Sequence, residues 1–412
     1  MRVAYLAPEL PALSATFVYN EILQLEAMGV GVVPFSVHKP GSTVGEARVA
    51  CLADNTVNLY SQAMPQVLLD NAIYLIEHPA SYIKTLGLLF QDICSVGLFS
   101  RTALGLIYRF VFSANLAKKL LNNQCEHLHV HFAHIPTDIA MYASSLSGIP
   151  YSVTAHANDI YERGWLLVEK VDRSSFFATI SEFNKNYLAG VGVNLSKVEV
   201  VRCGVEPTQF SRKESVVSDQ VTRIGVIGRL VEKKGIDTLI NAVAVLKDQG
   251  IKFELLIAGS GPLNASLRES SEKNNLTSNE ICFLGAIPHA DVAEFVKSLD
   301  MFVLPCRKDK QGDMDGIPVV LMEAMLSGVP VISTKISGIP ELILNEETGL
   351  LVMPDDEQAL AKAISSLIDD SALKNRMIIN ASAKVKEEFS LKSNAAKLKG
   401  LFNKIINGTK AL

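Results

Sequence analysis

Residues 3–7, VAYLA, form a short unbroken apolar run, and from Thr16 to Met28 the apolar positions recur three and four apart until Gly29. The first pattern predicts a buried strand, the second a helix with one apolar face and a glycine stop. The alternation continues through GVVPFSV, LHVHF, a helix over 136–146, YSVTAH, FFATIS and VEVVRCGV. A second series runs through RIGVIGRL, a helix over 235–249, FELLIAG, ICFLGAI, MFVLP, PVIST and TGLLVMP. Apolar strands separated by helices predict parallel sheets covered on both faces. The fold class expected is therefore α/β, with two doubly wound, Rossmann-like domains facing a cleft. Their spans are 1–206 and 223–390, joined by a polar linker over 207–222. A last helix, 391–412, is expected to return to the first domain.

Residues 64–121 break the rhythm. Their apolar positions follow helical spacing with few charges, which predicts a helical insertion in the first domain. Arg101 and Arg109 lie about 80° apart around a helix, so they are expected on one polar flank. Leu104, Leu106, Ile107, Phe110, Val111 and Phe112 fill much of the rest, and Lys118 and Lys119 follow. Two accounts are open: packing into the domain core, or an interfacial surface on an anionic membrane.

Composition narrows the function. The net charge is −4 and neither half of the chain is basic, so a nucleic-acid partner is not expected. Six scattered cysteines without C-x-x-C spacing, and an N-terminal stretch that reads as strand and turn, point to the reducing cytoplasm. No uncharged apolar run is long enough to span a bilayer.

The candidate chemistry gathers at the predicted strand ends of the second domain. In open parallel sheets, ligands sit there, where helix N-termini and glycine turns offer N–H groups to anions. GVIGRLVEKKG places Gly228, Arg229, Lys233 and Lys234 after one strand, and LIAGSGPL places Gly259 and Gly261 after another. DGIPVVLMEAM starts a helix with Pro318 in its first turn, with Asp315 before it and Glu323 within it. Two glycine turns, two cations and a helix start suit a diphosphate, and paired carboxylates suit sugar hydroxyls.

Taken in order, GRLVEKKG, AGSGPL, FLGAI, DGIPVVLMEAMLSGVPVI and GIPELI…TGLLV resemble the donor half of a GT-B glycosyltransferase of family 4. SATFVYNEI and HVHFAH…GIPYSVTAHANDIY are similar to a subgroup that builds exopolysaccharide, colanic acid and lipopolysaccharide. Asp315 and Glu323 occupy the two acidic places of the family's E-x(7)-E, the first one methylene shorter than usual. The resemblance implies a retaining, metal-independent hexosyltransferase. Its co-substrate would be a UDP- or GDP-sugar, and its acceptor a saccharide, lipid-linked at the inner face of the cytoplasmic membrane. It further implies catalytic roles for His156, Arg229, Lys234 and Asp315. Donor contacts are implied for Gly228, Arg229, Lys234, Gly259, Gly261, Asp315, Gly316, Ile317, Pro318 and Glu323. Ser14, Thr16, Phe17, His134 and Asp159 are implied on the acceptor side.

Other readings compete. Asp313-Met314-Asp315 spells a D-x-D metal signature, but so short a match is common by chance. His127, His129 and His131 alternate onto one strand face, yet no acid or cysteine completes a metal set, so no metal is expected. GSGPLN lacks the third glycine of a dinucleotide fingerprint. A sugar-nucleotide-binding scaffold without turnover, or a 2-epimerase of the same fold, would differ in releasing no nucleotide or in needing no acceptor.

Overall fold

The computed structural model describes residues 1–12, 15–41, 47–207, 210 and 221–410. It comprises two compact units, Met1–Arg202 with Leu391–Leu412, and Cys203–Ser390. Most of the expected linker, and Ser14, lie outside the described residues.

The first unit is built on seven strands: β1 (Arg2–Glu9), β2 (Gly31–His38), β3 (Val57–Asn58), β4 (His127–His131), β5 (Tyr151–Ala155), β6 (Phe177–Thr179) and β7 (Val198–Val200). All pair in parallel, in the order β3-β2-β1-β4-β5-β6-β7. Every residue of β4 and β5 is buried because helices cover both faces of the sheet. One cover is the helix Leu391–Lys410, whose Phe402 packs on Tyr5, His127 and His129.

The second unit has six strands: β8 (Thr222–Ile227), β9 (Phe253–Ala258), β10 (Ile281–Gly285), β11 (Met301–Leu304), β12 (Val331–Thr334) and β13 (Leu350–Val352). These too are parallel, ordered β10-β9-β8-β11-β12-β13. In each sheet the chain direction of winding reverses once, between β1 and β4 and between β8 and β11. At such a switch point neighbouring loops part in opposite directions and leave a crevice at the strands' carboxyl ends.

Between β3 and β4 the chain makes three helices, Met64–Glu77, Pro79–Val96 and Arg101–Asn122. Ser100 caps the third, its hydroxyl accepting from the Ala103 amide at 3.0 Å. The structure divides the apolar face expected on that helix between core and surface. Leu106, Phe110 and Phe112 are buried in the first unit's core, whereas Leu104 and Ile107 are exposed. Arg109 leaves the expected polar flank to pair with Asp138 of the helix Ile135–Ser147 at 2.8 Å, and Lys118 pairs with Asp70 at 2.9 Å. The acids drawing them inward come from other helices, which spacing along one helix cannot reveal.

Candidate donor and acceptor-side sites

At the β8/β11 switch point the second unit brings two glycine turns together. Gly259 follows β9 with φ +142°, and a Cβ placed there would stand 1.9 Å from the Gly228 carbonyl oxygen. A Cβ on Gly261 would meet the Leu230 backbone at 2.5 Å. The close approach is held by backbone bonds, Gly228 N–H to Ala258 O at 3.0 Å and Leu230 N–H to Ser260 O at 2.9 Å. Only glycine permits such contact.

Lys233 and Lys234 follow in a short 3₁₀ turn, Glu232–Lys234. Lys234 Nζ lies 2.6 Å from Asp315 Oδ2, and Lys233 Nζ is 3.5 Å from Asp315 Oδ1 and 2.7 Å from Asp313 Oδ2. Burial opposes charge on Asp315, but the two lysines outweigh it and hold the carboxyl below its ordinary range. Burial likewise opposes charge on Lys234; Asp315 prevails and raises its pKa. Buried Cys306 donates its thiol to Asp315 at 3.4 Å. The D-x-D pair thus faces lysines. Arg229 is exposed and has no ion pair among the described residues.

Gly316 and Ile317 are buried beside this cluster in sequence, and Pro318 is the N-cap of the helix Val319–Leu326 rather than part of its first turn. Glu323 sits in that helix, 8% exposed, its carboxylate without a hydrogen-bond or ion-pair partner among the described residues. Burial pushes its carboxyl up to about 7. The two acids therefore differ: Asp315 is ionised and paired, whereas Glu323 is poised near neutrality.

In the first unit, His156 follows β5 and is buried against Phe17 and Phe132, ring centroids 4.6 Å away in both cases. Burial holds its pKa well below the ordinary histidine value. Thr16 opens the helix Thr16–Ala27 that carries Phe17. Asp159, expected on the acceptor side, accepts backbone amides: Ala133 at 2.7 Å, and His156 and Ala157 at 3.0 Å. It clamps the loops after β4 and β5. His134 accepts from the Ile135 amide at 2.8 Å, and burial depresses its pKa to about 3, so the ring is neutral.

Glu21, of the same helix as Phe17, was not foreseen. Its Oε1 lies 3.0 Å from His131 Nε2 and accepts from the Tyr5 hydroxyl at 2.9 Å. Glu21, His129 and His131 bring one ligand atom each within 4.8 Å of one another, which corrects the reading that no acid reaches the histidines. Both His129 nitrogens, however, are engaged by Ser152 and Thr154 hydroxyls at 2.8 and 3.0 Å. A signal was present: Glu21 stands four residues after Phe17, hence on the same helical face.

Comparison with known proteins places this architecture. Residues 207–384 match the model for glycosyl transferases group 1, and residues 87–209 that for Glycosyltransferase Family 4. The fold is that of a glycosyltransferase from Rickettsia africae ESF-5 (TM-score 0.71, 16% identity, 98% of each chain). Anabaena Alr3699/HepE, solved in complex with UDP, superposes comparably (TM-score 0.72, 16% identity, 98% of this chain and 100% of that one). The chain has the GT-B fold, and two successive stretches of it match glycosyltransferase family models. Within that class it is similar to the amylovoran biosynthesis glycosyltransferase AmsK of Erwinia amylovora, 37% identical over 57% of this chain and 59% of AmsK. It is also 36% identical to the putative colanic acid biosynthesis glycosyltransferase WcaL of Escherichia coli (strain K12), over 53% of this chain and 54% of WcaL. The matched stretch is less than two thirds of either relative.

Proposed function

We propose that the protein transfers a hexose, with retention of anomeric configuration and without a metal, from a nucleotide diphosphate sugar to a saccharide acceptor in cell-surface polysaccharide biosynthesis. The observation that carries this reading is the glycine cradle at Gly228, Gly259 and Gly261, after β8 and β9, with Lys234 after β8 and Asp315 and Glu323 after the neighbouring β11. Backbone N–H groups and the cations Arg229 and Lys234 would receive the diphosphate and stabilise the charge that grows on it as the glycosidic bond breaks. Glu323 would accept from ribose hydroxyls and Asp315 from the hexose, once the diphosphate draws Lys234 away. His156 would serve the transferred sugar. AmsK, WcaL and the UDP bound to Alr3699/HepE support the pathway and the donor class.

The acceptor, on this reading, is lipid-linked, and the three-helix excursion docks on the anionic inner leaflet of the cytoplasmic membrane. Most of the exposed large apolar side chains among the described residues lie within 64–121. Ile83, Leu86 and Phe90 form a stripe three and four apart on the helix Pro79–Val96, and Phe99 in the following turn is 98% exposed. Exposed Lys84 and Arg101 flank them, as suits an interfacial surface on anionic lipid. No helix among the described residues is long and apolar enough to cross a membrane.

The test is release of UDP or GDP from UDP-glucose, UDP-galactose and GDP-mannose, with and without a membrane lipid extract, in EDTA. Acceptor-dependent release supports the proposal. Binding without release indicates a scaffold, and conversion without acceptor indicates an epimerase.

A further inference from the structure

We infer that Glu21 and His131 are positioning residues for His156, joined to it in a hydrogen-bonded relay that selects which imidazole nitrogen of His156 carries the proton. This deepens the proposed glycosyl-transfer reading, because it concerns the residue assigned there to the transferred sugar. The relay runs from Tyr5 and Glu21 through His131 to His156, entirely within the first unit at the β1/β4 switch point.

Donor and acceptor roles follow link by link. The Tyr5 hydroxyl donates to Glu21 Oε1 at 2.9 Å, so that oxygen is an acceptor. His131 Nε2 lies 3.0 Å from the same oxygen and must therefore carry a proton and donate it. A neutral His131 then has a bare Nδ1. His156 Nε2 is 3.2 Å from that nitrogen, so the proton between the two rings belongs to His156 Nε2. Nδ1 is thereby left as the acceptor nitrogen of His156. The imidazoles are near parallel, 18° apart with centroids at 5.4 Å. Phe17 and Phe132 confine the ring, while Asp159 holds the His156 backbone amide at 3.0 Å.

His129 stands apart from this chain of bonds. Ser152 and Thr154 engage both its nitrogens, and its ring meets His131 edge-on. Among the described residues, Glu21 thus reaches His156 through His131. A carboxylate that bonds His131, and not His156 itself, sets the His156 tautomer, as acids hydrogen-bonded behind other functional histidines do.

Protein labelled with ¹⁵N in histidine, at pH 8 where ordinary imidazoles are neutral, tests this by long-range ¹H–¹⁵N correlation. The His156 signals are identified by their loss in His156→Asn. The wild type is expected to show the proton on His156 Nε2, protected from solvent exchange. In His131→Phe that protection is lost, and in Glu21→Met it falls at least tenfold, with circular dichroism unchanged. A proton on His156 Nδ1 in the wild type overturns the relay, and so does protection unaltered in a folded His131→Phe. The wild-type measurement needs no variant to fold. UDP and GDP titrated in parallel separate the two claims: absence of binding of both by the wild type counts against the glycosyl-transfer reading and leaves the tautomer result standing.

Discussion

Lys234 Nζ and Asp315 Oδ2 lie 2.6 Å apart at the carboxyl ends of β8 and β11, so two groups assigned to the donor neutralise each other. Each side chain is about one-seventh exposed, and losing Lys234 leaves the partly buried Asp315 only the longer Lys233 contact at 3.5 Å, which is costly. Lys234→Ala should therefore destabilise the protein by on the order of 3 kcal/mol, read by urea unfolding. The Lys234→Ala, Asp315→Ala double variant should lose less than the two single losses added. Strict additivity would remove the pairing as a determinant of stability.

Glu323 predicts a pH dependence. Its folded-state pKa is raised from 4.5 to about 7 by burial, so the folded protein retains a proton that the unfolded chain has released. That contribution is present below pH 4.5, declines as pH rises through the window to 7, and is gone above it. At 1.36 kcal/mol per unit the ceiling is about 3 kcal/mol. Glu323→Gln should be more stable than the wild type at pH 8 and nearly equal to it at about pH 4, while binding nucleotide sugar at least tenfold more weakly. Equal pH profiles for the two proteins would show that Glu323 does not titrate there.

Gly259 and Gly228 should respond unequally to alanine. At Gly259 a Cβ would collide with the Gly228 carbonyl at 1.9 Å, at a φ of +142° that strains any other residue. Gly259→Ala should cost more than about 2 kcal/mol and abolish UDP binding. At Gly228 a Cβ would meet only the flexible Lys234 side chain at 3.4 Å. Gly228→Ala should keep stability within about 1 kcal/mol and weaken UDP binding by crowding Lys234. Thermal melts with and without UDP distinguish the two.

For the helical excursion, Phe90→Ser with Phe99→Ser should leave the melting temperature unchanged, since Phe90 is 64% and Phe99 98% exposed. Cosedimentation with phosphatidylglycerol vesicles should drop at least fivefold, and wild-type binding should weaken with salt. Phe110→Ser and Phe112→Ser should instead unfold the first unit, because both rings are core. No association of the wild type at low salt would exclude membrane docking.

The sequence by itself determined the fold class, because strand and helix periods are local and each parallel strand had to be apolar on both faces. Gly259 and Gly261 were legible for a related reason: a glycine between an apolar strand and a helix announces a turn that tolerates no side chain. Tertiary structure alone decided which charges meet. Lys234 reaches Asp315 across 81 residues of chain, Arg109 turns inward to Asp138, and Glu21 closes on His131 from 110 residues away. Likewise Phe110 and Phe112 share a helix with exposed Leu104 and Ile107; helical spacing made the face apolar, and only the packing of neighbouring helices settled which part of it became core. Sequence period fixes direction around an element's own axis, whereas ion pairs and burial depend on what another element places opposite it.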